Sequence, residues 1–321
     1  MAAMKNPHII CAALLFTCSG ALAQGMTPPP IEISDPGPGA VRVAQDGIFA
    51  NYFPGKGDGR RPGVLLLAGS EGGLGFGTVR IAEALSAEGF SVLQLCYFGC
   101  PGSPTKLVNV PLETFLNGLD WLKRQPGVDG ARIAIMGGSK GAEAALLAAS
   151  RMNGIKAVVA TQPSSVVWPG IAYSDTIQPG WTEKGNPLPY LPYANVPIAQ
   201  GKLFARYDGA MPSLPQHLDA IIPVERINAP ILLVCGEADT LWPSCRMADQ
   251  ISLRRTQAGK PAPTILRYPD AGHEVFGLPI DKSDSHYAML GSLGGTPAGI
   301  AAAHADNWPR TIAFLKENLS G

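Results

Sequence analysis

Short apolar runs alternate along most of the chain with segments in which apolar residues recur every third or fourth position. The runs occupy residues 63–68, 91–97, 132–136, 155–160, 230–235 and 263–268. Their apolar character predicts strands that are covered on both faces. The intervening segments, such as the one with Val79, Ala82 and Leu85, predict amphipathic helices. Alternating strands and helices predict an α/β fold, with a mostly parallel central sheet flanked by helices.

Three regions depart from this alternation. Residues 41–44 and 48–53 have a period of two around Gln45-Asp46-Gly47, which predicts a hairpin. Between residues 163 and 227 prolines, glycines and aromatics replace the regular pattern, which predicts a cap or lid insertion over a site. The last helix is predicted to begin near Asn307, with Pro309 in its first turn. We expect one domain over residues 41–321 that contains this insertion.

The first 23 residues have the three-part pattern of a secretory signal peptide. A sparse positive start around Lys5 precedes an apolar segment at residues 9–16, and Ala21-Leu22-Ala23 supplies a cleavage site. The apolar segment is shorter than the roughly 20 residues that a transmembrane helix needs. We expect export to the periplasm or the medium, cleavage near Ala23, no stable membrane anchor, and a proline-rich leader over residues 24–40.

Composition narrows the range of partners and cofactors. The 321 residues include 25 basic and 25 acidic side chains, so the formal net charge is zero, and no basic run occurs. This balance gives no reason to expect nucleic acid as a partner. No C-x-x-C or histidine-rich spacing suggests a metal. We therefore expect a small-molecule ligand, and neither a metal nor a redox cofactor.

Four cysteines remain after the predicted cleavage. In an oxidising compartment they can pair in three ways, and the sequence does not choose among them. Cys96 and Cys235 lie in apolar strand patterns, which favours small buried hydrophobic side chains. Cys100 and Cys245 lie in predicted loops and are the better candidates for a disulfide.

Residues 132–147 read as a strand, a G-x-S-x-G turn and an alanine-rich helix. The turn is Gly137-Gly138-Ser139-Lys140-Gly141. A serine on a sharp strand-to-helix turn presents its hydroxyl above the sheet, and the flanking glycines let neighbouring backbone pass closely. Ser139 is therefore the candidate nucleophile. The side chains of Lys140 and Glu143 are expected to be helix-surface groups, and no S-x-x-K motif begins at Ser139.

A serine nucleophile on such a turn needs an acid and a histidine after later strands, in that order. His273 follows the last predicted strand in a glycine-containing loop and is the candidate base, with His286 in reserve. Asp239 and Glu237 both follow the strand at 230–235. Asp239 is preferred because the turn at Gly236 leaves it further into the loop.

The predicted nucleophile also needs N–H donors for a developing oxyanion. The backbone N–H of Lys140 directly follows Ser139 and is the first candidate donor. The second is expected from the glycine-rich loop after the strand at 63–68, where the Glu71 N–H is preferred and the Ser70 N–H is the alternative.

Several further motifs accompany these residues between Gly63 and Leu319. They are Gly69-Ser-Glu-Gly-Gly73, Tyr97-Phe-Gly99, Val110-Pro-Leu-Glu113, Asp120-Trp-Leu, Gly137-Gly-Ser-Lys-Gly-Ala-Glu143, Ile222-Pro-Val-Glu-Arg226, Leu241-Trp-Pro-Ser244 and Ala271-Gly-His273. Together they resemble the catalytic C-terminal domain shared by acyl-CoA thioester hydrolases and bile acid-CoA:amino acid N-acyltransferases. The resemblance implies an α/β-hydrolase fold and a triad of Ser139, Asp239 and His273.

This resemblance implies a serine hydrolase that cleaves a thioester or ester through an acyl-enzyme. The transferases of the family use a cysteine nucleophile, so the serine at position 139 favours hydrolysis over aminolysis. Acyl-CoA is a cytoplasmic metabolite, whereas the signal peptide predicts export, so the acyl substrate stays open. The alternatives are a dienelactone hydrolase-like or general carboxylesterase, and a catalytically silent protein that binds a ligand under the insertion.

Overall fold

The computed structural model describes residues 31–172, 176–196 and 203–320. The predicted signal peptide and the first part of the leader, up to residue 30, lie outside these ranges. The strands in chain order are β1 (Val41–Gln45), β2 (Ile48–Phe53), β3 (Arg61–Leu67), β4 (Ser91–Cys96), β5 (Val110–Pro111), β6 (Val128–Gly138), β7 (Ile155–Thr161), β8 (Trp181–Glu183), β9 (Asn186–Pro187), β10 (Ile231–Gly236) and β11 (Thr264–Tyr268).

The α-helices of the described residues mostly connect consecutive strands of the main sheet. They are α1 (Phe76–Ala87), α2 (Glu113–Lys123), α3 (Lys140–Ala149), α4 (Leu203–Asp208), α5 (Ser244–Gln257) and α6 (Pro297–Asn318). None of them is both long and apolar enough to cross a bilayer.

Eight strands form the main sheet in the order β1-β2-β4-β3-β6-β7-β10-β11. The pairs β1–β2 and β2–β4 are antiparallel, and every other neighbouring pair is parallel. Asp46 and Gly47 both have positive φ, as a tight two-residue hairpin turn requires. The predicted hairpin and the predicted mostly parallel sheet are both confirmed.

Alternate residues of each central strand pack against opposite layers of helices. On β3, Leu65 and Leu67 belong to the core that α2, α3 and α5 complete, whereas Val64 and Leu66 belong to the core that α1 and α6 complete. Both faces of the sheet are therefore dry. This explains why the central strands read as continuous apolar runs.

The last helix begins ten residues before its predicted start. The side chain of Thr296 caps α6 by accepting the Gly299 N–H at 3.0 Å, and Pro297 occupies the first turn. Pro309, which we placed in the first turn, lies inside the helix. The prediction of a start at Asn307 was wrong because Thr296 and Pro297 supply the helix start, whereas Pro309 is accommodated inside the helix.

The insertion, residues 163–227, lies between β7 and β10, and its described residues form only short helices and strands. Its strand β8 pairs with β5 and β9 in a small three-stranded sheet, and α4 is one and a half turns long. Backbone bonds from Val167 to Ala220 and from Leu191 to Val167 connect distant parts of the insertion to each other. Side chains rather than a strand ladder attach much of this segment to the helices around it.

Candidate active site

Ser139 occupies the single residue between β6, which ends at Gly138, and α3, which begins at Lys140. Its backbone has φ 55° and ψ −122°, a combination that L-residues rarely adopt and that costs about 1–3 kcal/mol. The Ser139 N–H donates to Thr161 O at 2.9 Å, which holds the turn against β7. The structure therefore has the strained strand-to-helix turn that the G-x-S-x-G motif predicts.

The glycines on either side of Ser139 are required by close backbone contacts. A Cβ on Gly137 would lie 2.2 Å from Gly141 O, and a Cβ on Gly141 would lie 2.2 Å from Ala68 O. Neither position has room for a side chain because the first turn of α3 packs directly on the ends of β3 and β6. These contacts place Ser139 beside the loop that follows β3.

The structure brings Ser139, His273 and Asp239 together from three separate loops. His273 Nε2 lies 2.9 Å from Ser139 Oγ, and His273 Nδ1 lies 2.9 Å from Asp239 Oδ2. His273 is 7% exposed and Asp239 is 6% exposed, so solvent screens this chain of hydrogen bonds only weakly. Asp239 follows β10 and His273 follows β11, as their positions in the sequence predict.

Four donors surround the Asp239 carboxylate. Its Oδ1 accepts the N–H groups of Leu241 at 2.9 Å and Trp242 at 3.2 Å. Its Oδ2 accepts the Ser244 hydroxyl at 2.7 Å in addition to His273. The N–H groups of Leu241 and Trp242 and the hydroxyl of Ser244 belong to the motif Leu241-Trp-Pro-Ser244. These three donors explain why the motif follows the acid. They fix the carboxylate in the orientation that the imidazole needs.

The alternative acid and histidine lie elsewhere. Glu237 forms an exposed ion pair with Arg267 at 3.4 Å. His286 lies on the surface with its Nδ1 2.9 Å from Asp284. Neither of them lies within hydrogen-bond distance of Ser139 or His273.

The structure gives the disulfide pairing that the sequence leaves open. Cys96 bonds Cys100, and Cys235 bonds Cys245, so both preferred candidates, Cys100 and Cys245, form disulfides. Cys96 and Cys235 are buried, as their strand patterns favour, but each is bonded to the candidate that follows its strand. The Cys235–Cys245 bond closes the loop that carries Asp239. A covalent bond therefore holds both ends of the acid loop.

The glycine-rich loop after β3 lies against the Ser139 turn. A Cβ built on Gly69 would lie 3.3 Å from Ser139 Cβ. The Glu71 carboxylate folds back and accepts the Gly69 N–H at 2.9 Å, and no described residue accepts the N–H of Ser70 or Glu71. The Lys140 N–H, at the first position of α3, has no acceptor within the helix. The two predicted sources of oxyanion donors are thus adjacent.

Tyr97 supports this loop from below, a role that sequence reasoning missed. Its hydroxyl lies 2.7 Å from Ala68 O and 2.9 Å from Gly69 O. Burial, followed by the nearby negative charges of Glu71 and Glu143, raises the pKa of Tyr97 well above its ordinary value. Tyr97 therefore stays protonated and remains a hydrogen-bond donor at neutral pH.

Lys140 and Glu143 are not surface groups, and this prediction was wrong. Their side chains are 3% and 0% exposed, and Lys140 Nζ lies 2.8 Å from Glu143 Oε2. Glu143 Oε1 also accepts the Trp168 N–H at 3.2 Å and the Trp181 Nε1–H at 2.6 Å. The pair is buried because the insertion covers α3, which the helical pattern by itself does not reveal.

Burial dominates the protonation equilibria of this ion pair. It lowers the pKa of Lys140 and raises the pKa of Glu143, while the charge of each partner acts in the opposite direction. Lys140 Nζ also lies near the carbonyls of Trp168 (3.3 Å) and Pro169 (3.4 Å). The pair therefore connects the helix that follows Ser139 to the insertion.

Among the described residues no cluster of three or more histidine, cysteine or acidic side chains is suited to hold a metal ion.

Solved structures with a similar fold include a Klebsiella pneumoniae protein described as a dienelactone hydrolase and the Pyrococcus furiosus esterase Pf2001. The first aligns with a TM-score of 0.54 and 17% identity over 84% of this chain and 93% of its own. The second aligns with a TM-score of 0.56 and 18% identity over 91% and 100%. At this identity the likeness concerns the fold alone, and it confirms the predicted α/β-hydrolase architecture.

Several relatives are named acyl-coenzyme A thioesterases. Thioesterase 1 of Rattus norvegicus is 30% identical over 291 residues, which are 89% of this chain and 67% of the relative. Mitochondrial thioesterase 2 of Mus musculus is 30% identical over 88% of this chain and 61% of the relative. Thioesterase 6 of Homo sapiens is 32% identical over 82% and 62%. The chain spans about two thirds of the length of these relatives.

A family model provides the most direct comparison. The model described as "BAAT / Acyl-CoA thioester hydrolase C terminal" matches residues 110–321, a range that contains Ser139, Asp239 and His273. The resemblance predicted from the sequence motifs is confirmed. The chain belongs to the BAAT / acyl-CoA thioester hydrolase C-terminal family.

Proposed function

We propose that this protein is a serine hydrolase that cleaves an acyl thioester or ester through an acyl-enzyme. The observation that carries the proposal is the hydrogen-bonded chain from Ser139 Oγ through His273 to Asp239, with both contacts at 2.9 Å. The strained backbone of Ser139 and its position at the start of α3 support the same role.

In the proposed first half-reaction, His273 Nε2 takes the proton of Ser139 Oγ as the oxygen attacks the substrate carbonyl. Asp239 accepts the His273 Nδ1–H and so fixes the tautomer that leaves Nε2 free to act as a base. The N–H groups of Lys140 and of Glu71 or Ser70 stabilise the oxyanion. His273 then returns the proton to the leaving thiol or alcohol, and the acyl group remains on Ser139.

In the second half-reaction water replaces the leaving group. His273 removes a proton from the water as the water oxygen attacks the acyl-serine carbonyl. The protonated His273 then donates that proton to Ser139 Oγ as the tetrahedral intermediate releases the acid, which restores the Ser139 hydroxyl. The low exposure of His273 and Asp239 strengthens each of these electrostatic interactions. None of these steps requires a metal or redox cofactor.

The names of the relatives favour acyl-CoA thioesters as substrates. Membership of a family whose named relatives are acyl-coenzyme A thioesterases supports thioester cleavage over the carboxylesterase and dienelactone hydrolase alternatives. The experiment compares hydrolysis of acyl-CoA thioesters, p-nitrophenyl esters and lactones by the wild type and by Ser139→Ala. Thioester turnover that disappears in the variant is expected. Turnover of esters alone would favour a carboxylesterase, and no turnover of any substrate would favour a binding protein.

We also propose that the protein is exported, as the predicted signal peptide indicates. Two disulfides agree with an oxidising compartment, since such bonds are rare in the cytosol. The intact mass of the protein recovered from a native host tests this proposal. A mass that corresponds to cleavage near Ala23 with four cysteines oxidised is expected, and an uncleaved, fully reduced chain would contradict it.

A further inference from the structure

A cluster of aromatic side chains reaches from the insertion to His273. The aromatic cluster, as we call it, consists of Trp168, Tyr193, Arg206, Tyr207 and Trp242. The Trp242 ring lies 5.5 Å from the His273 ring, and the Tyr207 ring lies 5.6 Å from Trp242. Trp168 contacts Tyr207 edge to face at 4.8 Å. The aromatic cluster is therefore continuous with the candidate active site.

Unpaired hydrogen-bond donors are concentrated in the aromatic cluster. Trp168 Nε1, Arg206 Nε and Trp242 Nε1 are buried and have no hydrogen-bond partner among the described residues. All three are donors. The other buried atoms without a partner belong to Gln94, Asn307 and Thr311 and lie outside the cluster. A buried donor without an acceptor costs about 1–3 kcal/mol, so three of them in a cluster that extends to His273 indicate that an acceptor binds here.

The charge of the aromatic cluster is positive. The Arg206 guanidinium lies over the Tyr193 ring at 4.9 Å, and none of the ion pairs among the described residues includes it. The carboxylates whose charges reach Tyr207 are those of Glu143 and Asp239. Glu143 is neutralised by Lys140, and Asp239 already has four donors. Arg206 is thus the charge in this cluster that still lacks a counter-ion.

The tyrosines of the aromatic cluster do not supply that counter-ion. Burial raises the pKa of Tyr207 to about 12, and burial together with the Tyr207 hydroxyl raises the pKa of Tyr193 well above its ordinary value. Both hydroxyls are therefore protonated at neutral pH. The aromatic cluster presents a cation, N–H donors and ring faces to a ligand.

We propose that the aromatic cluster binds an anionic oxygen group of the substrate, a carboxylate or a phosphate, joined by an apolar linker to the bond that Ser139 cleaves. The inference rests on the proposed hydrolase function. The indole N–H groups and the Arg206 guanidinium bind the oxygen atoms, and the rings contact the linker. The anion comes either from the far end of the acyl group or from a phosphate of the leaving group.

Two matched substrate pairs separate these sources. The first pair is mono-p-nitrophenyl adipate and p-nitrophenyl hexanoate, which differ in a terminal carboxylate. The second pair is S-hexanoyl-4′-phosphopantetheine and S-hexanoylpantetheine, which differ only in the phosphate of the leaving group. We expect kcat/KM to favour the anionic member of one pair by about tenfold or more, as a charge-assisted hydrogen bond predicts.

Variants then assign the preference to the aromatic cluster. Arg206→Met is expected to bring the ratio of kcat/KM between the two members of that pair close to one, and Arg206→Lys to retain part of it. Trp168→Phe keeps an aromatic ring but removes the indole N–H donor, and it is expected to lower the kcat/KM ratio. This variant tests the inference if Arg206→Met does not fold. Arg246→Met, which removes an exposed arginine paired with Asp208, is the control and is expected to leave the ratio unchanged.

Equal kcat/KM values within both pairs would overturn the inference while leaving the hydrolase function intact. A preference for the anionic substrate that persists in both Arg206→Met and Trp168→Phe would also overturn the inference. The anion would then bind outside the aromatic cluster. If neither pair is hydrolysed, the proposed function fails. The affinities of adipate, coenzyme A and hexanoate, measured by tryptophan fluorescence, then decide the inference. Equal affinities would reject it. Tighter binding of adipate or coenzyme A that Arg206→Met weakens would support it.

Discussion

The catalytic edge of the sheet and the insertion are built in different ways. Ser139, Asp239 and His273 follow β6, β10 and β11, and parallel pairing of the central strands brings these loops to one edge. The described part of the insertion has short strands, one short α-helix and three 3₁₀ helices, and both the pairing of β8 with β5 and buried side chains attach it. Pairing of the central strands therefore positions the candidate triad, whereas the segment that lies over it depends on a short pairing and on side-chain contacts.

One attachment of the insertion is a buried carboxylate on α3. Glu143 accepts hydrogen bonds from Lys140, from the Trp168 backbone and from the Trp181 indole. Lys140 in turn lies beside two carbonyls of the insertion, and its ammonium group lies 5.2 Å from the Trp181 ring. The helix that follows Ser139 thus also carries this anchor for the insertion. Changes at the anchor are expected to act on stability, and changes at the edge on catalysis.

The largest expected effect is that of Asp239→Asn at the catalytic edge. Asparagine favours the wrong tautomer of His273, so kcat is expected to fall about 10⁴-fold with little change in melting temperature. Steady-state kinetics on the best acyl substrate measure the effect. The matched control is Glu237→Gln, which alters an exposed carboxylate of the same loop and is expected to change kcat less than about twofold. A silent Asp239→Asn would refute the assignment of the acid.

The next largest effect is expected at the anchor. Lys140→Met leaves the Glu143 carboxylate buried without a counter-charge, so the free energy of unfolding is expected to fall by about 3–5 kcal/mol. Urea unfolding at pH 7 measures it. Arg246→Met breaks the exposed pair with Asp208 and is expected to cost less than about 1 kcal/mol. If the free energy of unfolding fell equally in both variants, the buried Lys140–Glu143 pair would contribute no more to stability than an exposed ion pair.

A smaller effect is expected from opening the acid loop. Cys235→Ser/Cys245→Ser removes a bond that joins residues ten apart, and the expected loss in the free energy of unfolding is about 2–3 kcal/mol. Cys96→Ser/Cys100→Ser removes a bond between residues four apart and is expected to cost less, because the loop it closes is shorter. Urea unfolding of both variants under identical conditions makes the comparison. The reverse order would mean that chain entropy does not govern these bonds.

The smallest effect concerns the pair that joins the end of the insertion to α5. Arg254 donates two hydrogen bonds to Glu225 and lowers the pKa of that carboxyl from its ordinary value of 4.5. A carboxyl with a lowered pKa stabilises the fold above its ordinary pKa, and this contribution is lost as the pH falls through the folded pKa. Glu225→Gln is therefore expected to cost less than about 1 kcal/mol at pH 7.

Unfolding of this variant across pH 3–7 tests the sign of the effect. The difference from the wild type is expected to shrink as the pH falls below about 4.5, because the wild-type carboxyl becomes protonated. A difference that grows in acid would show that the pair with Arg254 does not hold Glu225 ionised.

The same division explains what the sequence predicts well. Strand order along the chain and the residues after each strand are local features, so the sheet, the hairpin at Asp46 and the positions of Asp239 and His273 could be inferred without coordinates. The G-x-S-x-G turn likewise carries its own backbone signal at Ser139. The structure places each of these residues where the local pattern puts it.

Features that depend on packing between distant segments were missed. Nothing local marks Lys140 and Glu143 as buried, because the cover comes from Trp168 and Trp181 in the insertion. The disulfide between Cys235 and Cys245 could not be predicted either, because it depends on how close the end of β10 lies to the start of α5. The start of α6 does not depend on packing between distant segments. Its signal, the cap formed by Thr296 and Pro297, is local and can be read from the sequence.

Labelling with a fluorophosphonate probe tests most directly whether Ser139 is the nucleophile. Intact mass and peptide mapping of the treated protein at neutral pH are expected to show one adduct, on Ser139. The adduct is expected to disappear in Ser139→Ala and to form much more slowly in His273→Ala, where the base is lost. A wild-type protein that takes up no probe, or an adduct that persists in Ser139→Ala, would contradict the account.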